Sequence, residues 1–67
     1  MNYTATMNNQ TETLSRNQLA SFLIDFNVGH YGVSPKATEQ AMIMLNRVRS
    51  EPLTLTRNNQ TMTITAA

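Results

Sequence analysis

Threonine alternates with other residues at both ends of the chain, on each side of an Asn-Asn-Gln break. The two copies of this pattern occupy residues 4–15 and 54–65. Alternation with a period of two is typical of strands, and a short Asn-rich break between two strands is typical of a tight turn. The pattern predicts one β-hairpin over residues 3–14 and a second over residues 53–65.

The two predicted hairpins differ in the residues that they offer to a core. In the second, Leu53 and Leu55 share one face, and Met62 and Ile64 alternate with threonines in the same way. The first hairpin is poorer, because its inward set is Tyr3, Ala5 and Met7, with Glu12 beside Leu14. We expect its strands to be frayed or to form only when they are paired.

The segment after the first hairpin has helical periodicity and a complete start signal. Ser15 followed three residues later by Gln18 forms a capping box, which begins a helix at Ser15. Gly29 is a natural terminator, so we expect this helix over residues 15–27. Its apolar stripe consists of Leu19, Phe22, Leu23 and Phe26.

A second helix is predicted over residues 34–50. Ser34 supplies the cap and Pro35 occupies the first helical position, where its missing N–H costs nothing. The apolar stripe of this helix consists of Ala37, Ala41, Met44, Leu45 and Val48. Two aliphatic residues lie off the stripes, Ile43 on this helix and Ile24 on the first, and we expect both to be exposed in a monomer.

These elements predict one small α+β domain over residues 1–67, with the order ββααββ and a small single-layer sheet packed on two helices. A chain of 67 residues without cysteine forms only a marginal core. Association with another protein or with a second copy is the usual remedy, so we expect a protein partner or a homodimer.

Charge and hydropathy exclude several classes of protein. Only 13% of the residues are charged and the net charge is +1, which gives a weak electrostatic attraction to nucleic acid or anionic membranes. The sequence contains no basic segment followed by an apolar run and no apolar stretch of membrane-spanning length. We therefore expect a cytoplasmic protein that does not bind membranes.

Catalytic equipment is sparse. His30 is the single histidine, and the four carboxylates show no spacing typical of metal ligands. Ser15 and Ser34 are accounted for as helix caps, and no nucleophile elbow or glycine-rich phosphate loop is present. We expect a protein that is not an enzyme and that needs no cofactor or metal.

The remaining features favour a binding protein. Met42, Ile43 and Arg47 form a candidate contact surface on the second helix, and methionine adapts well to such surfaces. The segment between the helices adds His30 and Tyr31, flanked by two glycines. We interpret the chain as a small regulator or inhibitor that contacts another protein, of the type that phages and mobile elements carry.

A DNA-binding regulator is the alternative interpretation. A helix, then Gly32-Val33-Ser34 opening a second helix, then a hairpin resembles the order of elements in winged-helix and other helix-turn-helix-like regulators. The resemblance implies a recognition helix that offers Lys36 and Gln40 to bases, with a wing that holds phosphate. The full set of candidate DNA contacts is Ser34, Lys36, Thr38, Gln40 and Arg57.

Overall fold

Both ends of the chain form β-hairpins, and two helices connect them. The computed structural model describes residues 2–66. Within this range the elements are β1 (Asn2–Met7), β2 (Gln10–Ser15), α1 (Arg16–Tyr31), α2 (Pro35–Arg47), β3 (Leu53–Arg57) and β4 (Gln60–Ala66). The predicted α+β class and the order ββααββ are confirmed.

Each hairpin turns through two asparagines. Met7 pairs with Gln10 in the first hairpin and Arg57 pairs with Gln60 in the second, so each loop has two residues. All four loop residues have positive φ angles, which range from 52° to 64°: Asn8, Asn9, Asn58 and Asn59. Positive φ at both central positions defines the type I′ turn, whose twist matches the twist of the strands.

The two hairpins join into one antiparallel sheet. The strand order is β2-β1-β4-β3, so the first and last strands of the chain lie at the centre of the sheet. Ala5 of β1 lies opposite Ile64 of β4. The first strand of the second hairpin, β3, therefore becomes an outer edge, whereas the first strand of the first hairpin is central.

The two faces of the sheet have different compositions. The face toward the helices carries the buried side chains of Tyr3, Ala5, Leu53, Leu55 and Ile64. The opposite face carries threonine on every strand, because threonine is favoured on a solvated pleated surface. One row of paired threonines crosses the whole sheet and consists of Thr11, Thr6, Thr63 and Thr54.

Helix α1 begins as predicted and ends later than predicted. The Ser15 hydroxyl accepts from the Gln18 N–H at 3.2 Å, and Gln18 Oε1 accepts from the Ser15 N–H at 2.8 Å. The helix continues past Asn27 and Gly29 to Tyr31, and Gly32 ends it with a φ of 77°. A glycine inside a helix costs only about 1 kcal/mol, which favourable packing can offset.

Helix α2 is shorter than predicted. The Ser34 hydroxyl accepts from the Ala37 N–H at 3.4 Å, and Pro35 opens the helix. The helix ends at Arg47 rather than Ser50, and the Ser50 and Glu51 N–H groups both donate to the Arg47 carbonyl. Val48 is buried in this turn and extends the predicted apolar stripe beyond the helix.

The core lies between the helix layer and the inner face of the sheet. Leu19 and Leu23 of α1 and Ala41 and Leu45 of α2 join the strand residues in one buried cluster. Ile24 packs against this cluster and is half-buried, so the expectation that it would be exposed is wrong. Neither helix described within residues 2–66 is long and apolar enough to cross a bilayer.

The left-handed conformation of Asn59 gives the first prediction. We expect Asn59→Ala to lower the free energy of unfolding by about 1 kcal/mol, because a Cβ without a compensating polar group is strained at positive φ. Asn59→Gly should keep or raise it, since Asn-Gly is the preferred type I′ pair. Urea unfolding checks both values. Asn46, an exposed residue of α2, is the control: there alanine should give the more stable protein and glycine the less stable one. Equal stabilities of the alanine and glycine variants at position 59 would contradict the turn assignment.

The hydroxyl of Tyr3 gives the second prediction. Tyr3 is fully buried, and its hydroxyl has no hydrogen-bond partner among the described residues. Because an unpaired buried polar group is destabilising, we expect Tyr3→Phe to raise the free energy of unfolding by about 1 kcal/mol. Tyr31→Phe removes an exposed hydroxyl and should change it by less than about 0.5 kcal/mol. Thermal and urea unfolding of both variants measure the difference, and a less stable Tyr3→Phe protein would refute the expectation.

Candidate functional site

Arg57 lies at the turn end of β3, on the face of the sheet that packs against the helices. Its guanidinium carbon lies 4.6 Å from the centre of the Phe26 ring, within the range of a cation–π contact. Its Nη2 also donates a hydrogen bond to the Phe26 carbonyl. The guanidinium is therefore held against α1 and does not project from the turn.

Gly29 allows this close approach. A Cβ atom at position 29 would lie 2.9 Å from the guanidinium carbon of Arg57, closer than such atoms can pack. Gly29 is in the last turn of α1, where a nearby cation also interacts favourably with the helix dipole. The glycine that was expected to end the helix thus serves as the contact point for the arginine.

Arg57 lines two clefts. The first, which we call the inner cleft, has a volume of about 240 Å³ between α1 and the sheet. Asp25 also lines this cleft, but most of its lining is apolar: Met7, Phe22, Phe26, Leu55 and Met62. An apolar cleft of this size is small for a drug-sized ligand.

The second cleft, which we call the edge groove, has a volume of about 420 Å³. It lies between the end of α1, the last turn of α2 and the end of β3. Its main lining residues are Phe26, His30, Tyr31, Met44, Thr56 and Arg57. Because β3 is the outermost strand, the edge groove lies beside an unpaired sheet edge.

His30 and Tyr31, which the sequence analysis singled out as contact residues, both line the edge groove. They belong to the last turn of α1 and not to a loop. Their rings meet edge to face with centres 4.5 Å apart, and Lys36 Nζ lies 5.0 Å from the centre of the Tyr31 ring. Tyr31 is 38% exposed, so its ring is available to a partner.

The candidate contact residues of α2 lie apart from the lining of the edge groove. Ile43 is 42% exposed, and it adjoins Met44 in the sequence. Met42 is half-buried and packs against the core cluster, which limits its contribution to a contact surface. Arg47 Nε lies 3.5 Å from the Glu51 carboxylate, and both side chains are well exposed.

The residues of the DNA-binding alternative have varied surroundings. Ser34 is engaged as a helix cap, and Lys36 lies over Tyr31. Thr38 is exposed and Gln40 half-buried on α2. Arg57, which the winged-helix resemblance would use at the tip of a wing, faces α1, and its hairpin is half of a continuous sheet.

Five groove residues were missed as site candidates in the sequence, namely Phe26, Asn27, Gly29, Met44 and Thr56. Phe26 and Met44 were assigned to the core stripes, yet both are half-buried and line the edge groove. Thr56 was assigned to a solvated strand face, and nothing in its local sequence marks β3 as an outer strand.

Among residues 2–66 no three acidic or histidine side chains are close enough to hold a metal ion.

The contact between Gly29 and Arg57 predicts energetic coupling. In an Arg57→Ala background, Gly29→Ala should raise the free energy of unfolding by about 1 kcal/mol, which is the usual helix-propensity gain. In the wild-type background the gain should be smaller, because the new methyl group displaces the guanidinium from Phe26.

Urea unfolding of the four proteins gives the coupling energy. The control is Ser21→Ala, at an exposed position elsewhere on α1. It should change the free energy of unfolding by one and the same amount with and without Arg57. Equal gains for Gly29→Ala in the two backgrounds would show that Arg57 does not occupy this position in solution.

Comparison with known proteins provides no functional template. No family model, no curated protein and no solved structure matches this chain. The inference of function therefore rests on the geometry of the edge groove and its surroundings.

Proposed function

We propose that this protein is a non-enzymatic binding module, cytoplasmic in location, which regulates or inhibits another protein by direct contact. The observation that carries the proposal is the edge groove, in which an unpaired strand edge adjoins an aromatic and methionine-lined cleft. Grooves that combine main-chain hydrogen-bonding groups with apolar pockets suit protein recognition.

The side chains around the groove support the same interpretation. Tyr31 is partly exposed, and tyrosine is enriched among the residues that dominate binding energy in interfaces. Met44 is flexible and polarisable, so it can adapt to an incoming side chain. Outside the groove lining, Ile43 on α2 and Val33 just before α2 add exposed aliphatic surface, with Val33 94% exposed.

The size of the protein favours a binding role that does not require a deep site. The inner cleft is small, and the edge groove is open to solvent on one side of a thin molecule whose principal extents are 31, 27 and 18 Å. A partner that covers the groove also removes apolar surface from water, which supplies stabilisation that a 67-residue core lacks.

The proposal predicts that partner binding depends on this surface. Proteins that co-purify with the wild-type chain from its host would be identified, and the candidate partner would then be purified and titrated against each variant. We expect Tyr31→Ala to weaken the reconstituted complex at least about tenfold, as for a residue that dominates an interface. Ile43→Asp should weaken it as well, because a charge replaces an exposed aliphatic side chain of the proposed interface.

The matched control is Thr13→Asp, which places a new charge on the threonine face, away from the helices. It should bind the partner like the wild type, and circular dichroism should show that all three variants keep their helices. Full binding by both Tyr31→Ala and Ile43→Asp would refute the proposal.

Two further measurements separate the other candidates. Solution mass shows whether the contact is made with a second copy, in which case Ile43→Asp should convert a dimer into a monomer. A duplex-binding assay at low salt tests the DNA alternative, which requires an affinity that falls steeply with added salt and weakens in Lys36→Ala.

A further inference from the structure

We propose that the partner contributes an extended, acidic and apolar segment that pairs with β3 as an additional antiparallel strand and inserts a side chain into the edge groove. This inference rests on the proposed function and specifies the chemistry of the partner. Three observations support it: β3 has main-chain groups that point outward, β3 is less protected than the other edge strand, and the edge groove beside β3 is lined by basic side chains.

The pairing of β3 with β4 determines which of its main-chain groups are free. Arg57 and Gln60 close a two-residue hairpin, so they exchange hydrogen bonds, and so does every second pair along the ladder. The N–H and C=O groups of Thr54 and Thr56 therefore point away from β4. An added antiparallel strand would satisfy these groups, because they have the alternation that a new ladder requires.

The other edge strand, β2, is less accessible to a partner. The Ser15 N–H at its end donates to Gln18 Oε1 at 2.8 Å, and α1 starts at the next residue. Glu12 places a charge in the middle of β2 on the helix-facing side, which is one way in which proteins protect an edge. β3 has no charged residue before Arg57, so it is the less protected edge.

The edge groove determines which side chains the added strand should carry. Residues directly opposite each other in a sheet project from the same face, so the residue opposite Leu55 would point toward the helices. Tyr31 and Met44 would form its pocket, and this pocket suits an aliphatic side chain.

The charge of the groove determines a second position. The lining contains Arg57 and His30 and, among residues 2–66, no carboxylate. Only Nη2 of Arg57 is engaged with the Phe26 carbonyl, which leaves other guanidinium donors for a carboxylate. A residue opposite Arg57 would lie two positions before the aliphatic residue in an antiparallel strand, so the expected pattern is acidic, any residue, aliphatic.

The chain itself contains this pattern in β2, as Glu12-Thr13-Leu14. A second copy is nevertheless a poor occupant, because α1 begins directly after Ser15 and its capping box uses the main-chain group that would pair next with β3. Such contacts between unlike edges would also propagate into open chains of molecules. A segment of a different protein, without a helix at its end, avoids both problems.

A synthetic peptide tests the pairing. The probe is a capped, fluorescently labelled peptide with the sequence Thr-Glu-Thr-Leu-Thr-Val-Thr, and its binding to the full chain is followed by anisotropy. We expect a Kd below about 1 mM. N-methylation of the two threonines that flank leucine removes amides that face β3, and it should abolish binding. N-methylation of leucine, whose amide faces away, should change the Kd by less than about threefold.

Two protein variants locate the contact. Thr56→Pro removes an outward N–H without breaking the β3–β4 ladder, and proline is tolerated on edge strands. It should weaken peptide binding at least about tenfold. The same change at Thr11, an outward position beside the turn on β2, is the matched control and should leave the affinity unchanged. Arg57→Ala should weaken binding of the glutamate peptide about tenfold, and it should leave the Kd of the analogue with glutamine in place of glutamate unchanged.

Each result has a defined meaning. Failure of the wild-type chain to bind the peptide at about 1 mM, or equal binding by Thr56→Pro, overturns strand addition at β3. Self-association of the protein alone that both proline variants abolish would identify the occupant as β2 of a second copy and also overturn it. If strand addition fails while Tyr31→Ala still weakens the natural complex, the proposed function stands without it.

Discussion

The pairing of β1 with β4 is the interaction on which the rest of this structure depends. Each hairpin alone would be marginal in water, because two strands cannot bury an apolar face. Pairing across the chain ends, with Ala5 opposite Ile64, makes a single four-stranded sheet whose inner face is wide enough to support two helices. This pairing joins strands from opposite ends of the chain, and the two helices form the connection between the hairpins.

The edge groove follows from that pairing. Because β4 takes the central position, β3 is left at the outside with the outward groups of Thr56 unpaired. The same arrangement brings Arg57 beneath the last turn of α1, where Gly29 leaves room for the guanidinium. The strand order thus brings a strand edge, an arginine and the aromatic end of α1 together. The proposed role in protein binding rests on this juxtaposition.

Local sequence signals predicted the helices and strands. They failed to predict features that depend on residues distant in the sequence. The capping box of Ser15 and Gln18 and the Asn-Asn turns depend on neighbours in the sequence, so their positions were predictable. The end of α1 was misplaced because Gly29 looked like a terminator, whereas its role is to accommodate Arg57 from the second hairpin. Ile24 was expected to be exposed because the periodicity of one helix does not show how widely its neighbours cover it.

The sequence by itself determined the order of hairpins and helices, the two turns, and the division of β1, β3 and β4 into a threonine face and a mostly apolar face. These features depend on backbone preferences and on periodicity, both of which act over a few residues. Only the tertiary structure decided that β3 is an edge, that Arg57 contacts α1, and that Tyr31 and Met44 face one groove. The two hairpins share the same threonine alternation and Asn-Asn-Gln turn. That local pattern does not distinguish their strands, so which strand of each becomes central depends on how the chain ends pair and on how the helices connect them.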